Sequence, residues 1–243
     1  PMAIKFGTDG WRGIIAEDYT FDNVRICAQG AADFMLDHNM TSRGLVIGYD
    51  TRFASEEFAK AVAEVTTANG IITLLCDKAA PTPVVSYNVV ANHAGAGIII
   101  TASHNPGAWN GFKYKPSYAG SASPEVVTRL EEHIANSLAG DACQTMPLES
   151  AREQGLLEEF NPAPPYLDSL AAALDLQTIR EAGLRIAVDS MHGAGAGYIR
   201  HLLEGGRTSI TELRAERNPL FPGMGQPEPI APNLEPTAAA LRD

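Results

Sequence analysis

The sequence predicts an α/β protein whose short strands are sandwiched by helices, arranged as two successive units. Two observations predict it: apolar runs too short for helices alternate with segments of helical period, and the alternation restarts after a proline-rich interruption. The 243 residues, 45% hydrophobic and 19% charged, are enough for two cores of ordinary domain size.

The strand candidates are residues 44–49, 71–76, 97–101 and 184–189, each rich in Ile, Val or Leu. Between the first two lies a helix with Ser55 as its expected N-cap and Glu56 and Glu57 in its first turn. It buries Phe58, Ala61, Val62 and Val65 and stops at Gly70, completing a βαβ unit. A helix after Thr20 carries the stripe Val24, Cys27, Ala31, Phe34 and Met35. Another opens with Ser123 as cap and Pro124 in its first turn, turning Val127, Leu130 and Ile134 inward. Residues 1–140 are therefore expected to form the first domain.

Periodicity then fades, and residues 141–165, ending in NPAPP, read as a connection. Residues 166–243 read as part of a second domain. Its strand at 184–189 runs into SMHGAGAG and a helix with Tyr198, Ile199, Leu202 and Leu203. Six prolines between Asn218 and Pro236 predict a long loop, and TAAALRD reads as the opening of another helix. The second domain is thus expected to be incomplete and the chain an excised piece.

A net charge of −11 opposes nucleic-acid and anionic-membrane partners. Cys27, Cys76 and Cys143 match no zinc spacing and would leave one thiol over if two paired. With no signal architecture and no apolar run of membrane-spanning length, the expected location is the cytoplasm. The negative charge is uneven. No acidic residue stands between Asp77 and Glu125, a stretch holding Lys78, His93, His104, Lys113 and Lys115. Such a stretch suits an anionic ligand such as phosphate, or is a buried core with few charges.

In IIITASHNPGAWNGFKYK (98–115) a strand delivers Ser103 to an exposed loop tip, where its hydroxyl could be a nucleophile or phosphate carrier. The same residues also suit a plain turn. His104 is adjacent, and neighbouring side chains of a strand point apart, so no hydrolase triad is implied. The elbow G-x-S-x-G is absent. In KFGTDGWRG the glycines bracket Thr8 and Asp9, and Arg12 offers a bidentate phosphate contact. GYDTR places Asp50 and Arg52 just past a strand, as a phosphate contact or a surface ion pair. Gly193, Gly195 and Gly197 miss the spacing of the dinucleotide fingerprint, so close strand–helix packing is expected of them.

Together TASHNP (101–106), NGFK (110–113) and FGTDGWRG (6–13) resemble the α-D-phosphohexomutases, the family of phosphoglucomutase, phosphomannomutase and phosphoglucosamine mutase. The resemblance implies two three-layer α/β/α domains with mixed, mostly parallel sheets, the second incomplete. It also implies a reaction. Ser103, carried as phosphoserine, would give its phosphoryl group to a glucose or mannose monophosphate and take the other phosphate back from the bisphosphate. One Mg²⁺ on the phosphoserine oxygen and a glucose 1,6-bisphosphate-type activator are expected. By the same correspondence Lys113 and Arg12 are candidate acid–base and phosphate-contact groups, and His104 is a hydrogen-bond partner of the serine. Thr8, Asp9, Arg52, Asn105 and Asn110 are candidate substrate or phosphate contacts.

The family's remaining metal ligands come from a D-x-D-x-D-R loop that this chain lacks, and its third and fourth domains are missing. The isolated chain is therefore expected to be inactive, with a hexose phosphate and the missing C-terminal domains as its partners. The alternatives are a phosphoglucosamine mutase, a non-catalytic phosphosugar-binding protein, and a serine phosphatase or hydrolase.

Overall fold

The computed structural model describes residues 4–7, 10–140 and 143–242. The first unit contains β1 (Trp11–Ile14), α1 (Phe21–Asp37), β2 (Leu45–Tyr49), α2 (Ser55–Ala68), β3 (Thr73–Cys76), α3 (Thr82–Ala91), β4 (Ala96–Ile100), β5 (Trp109–Pro116) and α4 (Pro124–Ala139). There follow α5 (Leu148–Glu153), β6 (Leu157–Phe160), α6 (Ala163–Ala173), α7 (Leu176–Glu181), β7 (Arg185–Asp189), α8 (Tyr198–Leu203), β8 (Ser209–Leu213) and α9 (Ala231–Arg242).

The main sheet runs β1-β5-β4-β2-β3-β6. Strands β4, β2, β3 and β6 are parallel, whereas β5 is antiparallel to both β4 and β1. The sheet is thus mixed and mostly parallel, as expected. The crossovers through α2 and α3 step in opposite directions along it, so right-handed connections put these helices on opposite faces. All five residues of β2 and of β4 are buried, which is why both read as unbroken apolar runs. In the second unit β7 and β8 form a two-stranded parallel sheet.

Ser123 caps α4 through the Val126 N–H at 3.4 Å, as read, and Thr20 proves to cap α1 by accepting the Asn23 N–H at 3.2 Å. Ser55 is different. The N-cap of α2 is Ala54, at a left-handed φ of 56°, and the Ser55 hydroxyl is used elsewhere. Residues 141–165 are more than a connection: α5 packs on α2, and β6 extends the sheet beside β3. Its Glu158 and Glu159 hide the strand from a hydrophobicity reading. The expected proline-rich loop stops short of Pro236, because α9 begins at Ala231 and runs through that residue.

Candidate active site

The loops leaving the C-terminal ends of neighbouring strands β2 and β4 lie side by side, and the Asp50 N–H donates to the Ile100 carbonyl at 3.1 Å. This is where the strand order reverses, the usual ligand crevice of an open α/β sheet. Topology brings GYDTR and TASHNP together although some fifty residues separate them.

Ser103 is exposed at the tip, with a left-handed φ of 57°. That conformation costs a non-glycine residue about 1–3 kcal/mol, so the surroundings must enforce it. The Ser103 N–H donates to Thr101 Oγ1 at 3.0 Å, and the Asn105 N–H to the Ala102 carbonyl at 3.1 Å. The turn also brings Ser103 Oγ to 3.4 Å from His104 Nδ1. The expectation that these side chains diverge holds for a strand and fails here, because Ser103 lies past the strand end.

Arg52 supplies the enforcement. Its side chain is 1% exposed. Nη2 donates to the carbonyls of Ser103 and Asn105, both at 2.7 Å, and Nη1 donates to those of Pro106 at 2.9 Å and Trp109 at 3.1 Å. Nε lies 3.2 Å from Asp50 Oδ2, an ion-pair contact in which the N–H is not aligned as a hydrogen bond. Burial lowers the basicity of Arg52, Asp50 opposes that shift, and Arg12 adds to it. The expected phosphate contact at Arg52 is thereby corrected. All four of its Nη–H groups are spent on the Ser103 loop, a use to which the rigid guanidinium fork is suited.

Asn110 is corrected in the same way. Fully buried, it accepts the Gly111 N–H at 2.8 Å and donates to Ser55 Oγ at 2.9 Å. Ser55 Oγ donates to Asp50 Oδ1 at 2.8 Å, and the same oxygen accepts the Arg52 N–H at 3.0 Å. Asn110, Ser55 and Asp50 therefore form the footing of Arg52. Sequence reasoning gave Ser55 a capping role and read Asp50 and Arg52 as a phosphate contact or a surface ion pair. The spacing DTRxxS, five residues from carboxylate to hydroxyl, was the available signal.

Arg12, half-buried on β1, donates from Nη1 to Asn105 Oδ1 at 2.6 Å and so steadies the loop from its other side. Lys113 lies on β5 opposite Ile99, 6% exposed and beside Gly10, outside the lining of the cavity at Ser103. Thr8 and Asp9 lie outside the described residues.

The cavity, ≈ 180 Å³, is lined by Thr51, Thr82, Thr101 and Ser103 from the first unit and by Ser190, Gly193 and Gly195 from the second. Small-molecule sites usually measure about 300–1,000 Å³, so this one accommodates part of a sugar phosphate rather than all of it. The second unit is anchored where Thr51 Oγ1 donates to the His192 carbonyl at 2.8 Å. A Cβ on Gly195 or Gly197 would meet no atom within 4 Å, so packing does not explain these two glycines. Gly195 borders the cavity, whereas Gly197 adopts a φ of 84° as the N-cap of α8.

Residues 3–140 match the family model for phosphoglucomutase/phosphomannomutase alpha/beta/alpha domain I, and residues 164–243 match domain II. The chain belongs to the phosphoglucomutase/phosphomannomutase family. It is 29% identical over 230 residues to a phosphoglucomutase of Komagataeibacter xylinus, covering 90% of this chain and 41% of that protein. It is 30% identical over 221 residues to a phosphoglucosamine mutase of Carboxydothermus hydrogenoformans, covering 90% of this chain and 46% of the relative. A solved structure from Thermus thermophilus, designated a phosphomannomutase, superposes with a TM-score of 0.84 at 31% identity. The match covers 99% of this chain and 52% of that one. The chain thus spans about half the length of these relatives.

Family membership brings a metal ion into question. Among the described residues no three His, Cys, Asp or Glu side chains converge, and Asp50 is committed to Arg52 and Ser55. The described residues do not compose a Mg²⁺ site by themselves. No helix among them is long and apolar enough to cross a membrane.

Proposed function

We propose that this chain is the phosphoryl-carrying half of a hexose-phosphate mutase of the glucose or mannose type, working in the cytoplasm, with Ser103 as the carrier. One observation carries the reading: an exposed serine, held in a left-handed turn by a buried arginine, borders a cavity where the strand order reverses. Free Cys27, Cys76 and Cys143 suit a reducing compartment.

In the proposed transfer a hexose hydroxyl oxygen attacks the phosphorus of phosphoserine 103. The new O–P bond forms as the Ser103 Oγ–P bond breaks, the hydroxyl proton passes to a base, and Ser103 Oγ regains a proton. The resulting hexose bisphosphate turns over and returns its other phosphate to Ser103 by the reverse steps. Phosphoryl transfer asks mainly for positioning and charge neutralisation. The fixed loop supplies the first. Arg12 and the acid-free stretch favour the second, and His104 is proposed as a hydrogen-bond partner of the serine oxygen or its phosphate, a role supported by the 3.4 Å approach of its Nδ1 to Ser103 Oγ. Lys113, although outside the lining of the Ser103 cavity, is proposed as an acid–base group, and the phosphoserine oxygen as a ligand of Mg²⁺, in a protein that includes the remaining domains. A hexose 1,6-bisphosphate is the proposed activator, since it would recharge a bare serine.

The test replaces Ser103 by Ala in the protein extended by the domains its relatives carry. Conversion of glucose 1-phosphate to glucose 6-phosphate is expected to fall by at least about 10³-fold, as for loss of a covalent nucleophile. Undiminished conversion, or phosphate released to water at the rate of sugar turnover, overturns the proposal. Parallel assays with mannose and glucosamine phosphates decide the sugar.

A further inference from the structure

The Arg52 side chain is sealed by the second domain. The Phe221 ring lies over its guanidinium, 5.3 Å from Cζ, and is itself 4% exposed. Arg217 Nη2, from the same loop, donates to the Arg52 carbonyl at 3.2 Å. Phe221 has a φ of 47° and is held in its turn by its N–H to the Asn218 carbonyl at 3.1 Å and by the Met224 N–H to its own carbonyl at 3.2 Å. The ring also stands against Gly107, where an added Cβ would come within 3.3 Å of it.

From this we infer that Phe221 is a positioning residue through which the second domain fixes the Ser103 loop: its ring keeps water off Arg52, and Arg52 holds the loop. The inference rests on Ser103 being the phosphoryl carrier. Phe221 offers a phosphate no polar atom, so its effect passes through Arg52. A desolvated guanidinium binds its four carbonyls more strongly than a wet one, and a ring face adds a cation–π attraction that an aliphatic side chain cannot. Water admitted beside Arg52 would compete for the Ser103 and Asn105 carbonyls and free the left-handed turn.

The test compares Phe221→Leu with Phe221→Tyr. Leucine keeps the apolar contact without the ring face, and tyrosine keeps both. In the 243-residue chain, hydrogen exchange at the Asn105 and Trp109 amides is expected to rise about tenfold in the leucine variant and to stay near wild type in the tyrosine variant. Exchange at the β4 amides should not change in either. An unchanged loop in the leucine variant, or equal loosening in both, overturns the inference. In the protein carrying the remaining domains, the leucine variant should lower kcat and leave KM for the sugar phosphate unchanged, and tyrosine should restore kcat. A rise in KM with kcat intact also overturns it. Exchange is read whether or not Ser103 carries phosphate, so failure here is distinguishable from failure of the carrier role, which the Ser103→Ala assay reads.

Discussion

Arg52→Lys separates charge from geometry at the Ser103 loop. Lysine keeps the cation but offers a single ammonium where the guanidinium reaches four carbonyls. Urea unfolding is expected to show a loss of about 3 kcal/mol, as when a buried charge loses its partners. Full stability in the lysine variant would mean that the four contacts do not hold the fold. At Asp189 burial pushes the carboxyl up, but hydrogen bonds from Arg214, Thr237 and the Met191 amide outweigh it, leaving its pKa below the ordinary 3.8. A depressed carboxylate contributes stability above its unfolded pKa, and this is lost as pH falls through the lower folded value. Wild-type stability should therefore drop below about pH 4, and Asp189→Asn should flatten that part of the pH profile. An unaltered profile in the variant would show that Asp189 contributes nothing to it. Ser103 and Arg12 were legible as chemistry because their motifs are local. Arg52 and Asn110 were legible as important residues only. The spacing DTRxxS could signal the local Asp50–Ser55 contact, but whether Arg52 faces a ligand or a carbonyl depends on which loops meet, and no local spacing encodes that.

Among elements, the α1–α4 contact tests propensity against packing. Gly30 sits inside α1, where alanine would favour the helix by about 1 kcal/mol. A Cβ there would lie 2.5 Å from Ile134 Cγ1 and 2.9 Å from its backbone nitrogen on α4, too close for the helices to keep their spacing. Overpacking costs about 1–3 kcal/mol, so Gly30→Ala is expected to destabilise on balance, as read by urea unfolding. A more stable variant would mean that α4 moves freely. The helices with apolar stripes, α1 and α4, were read from the sequence, and so were the strands β2, β3, β4 and β7, of which β7 is only partly buried. Missed were α3, α5, α6, α7, β1, β5, β6 and β8. The α3 sequence, TPVVSYNVVA, carries apolar residues without a helical stripe. In β5, buried Lys113 and Lys115 break the hydrophobic pattern. These elements form because neighbours cover them, a tertiary condition.

At the scale of the molecule, the six-stranded sheet belongs to the first domain and the segment that follows it, while the second domain presents two strands and reaches back to the first through Thr51 and Arg52. The 243-residue chain alone is expected to show no conversion of glucose 1-phosphate to glucose 6-phosphate in a coupled assay. Ordinary turnover would show that half the length of the relatives suffices. The sequence by itself determined the α/β class, the positions of β2, β3, β4 and β7 along the chain, the striped helices and the motif that carries Ser103, because each is written in residues near one another along the chain. The tertiary structure alone decided that the Arg52 guanidinium holds the TASHNP loop, that residues 157–160 complete the first sheet, and that Phe221 covers Arg52. Those outcomes depend on the strand-order reversal beside β2 and on which groups lose their water when distant segments close together.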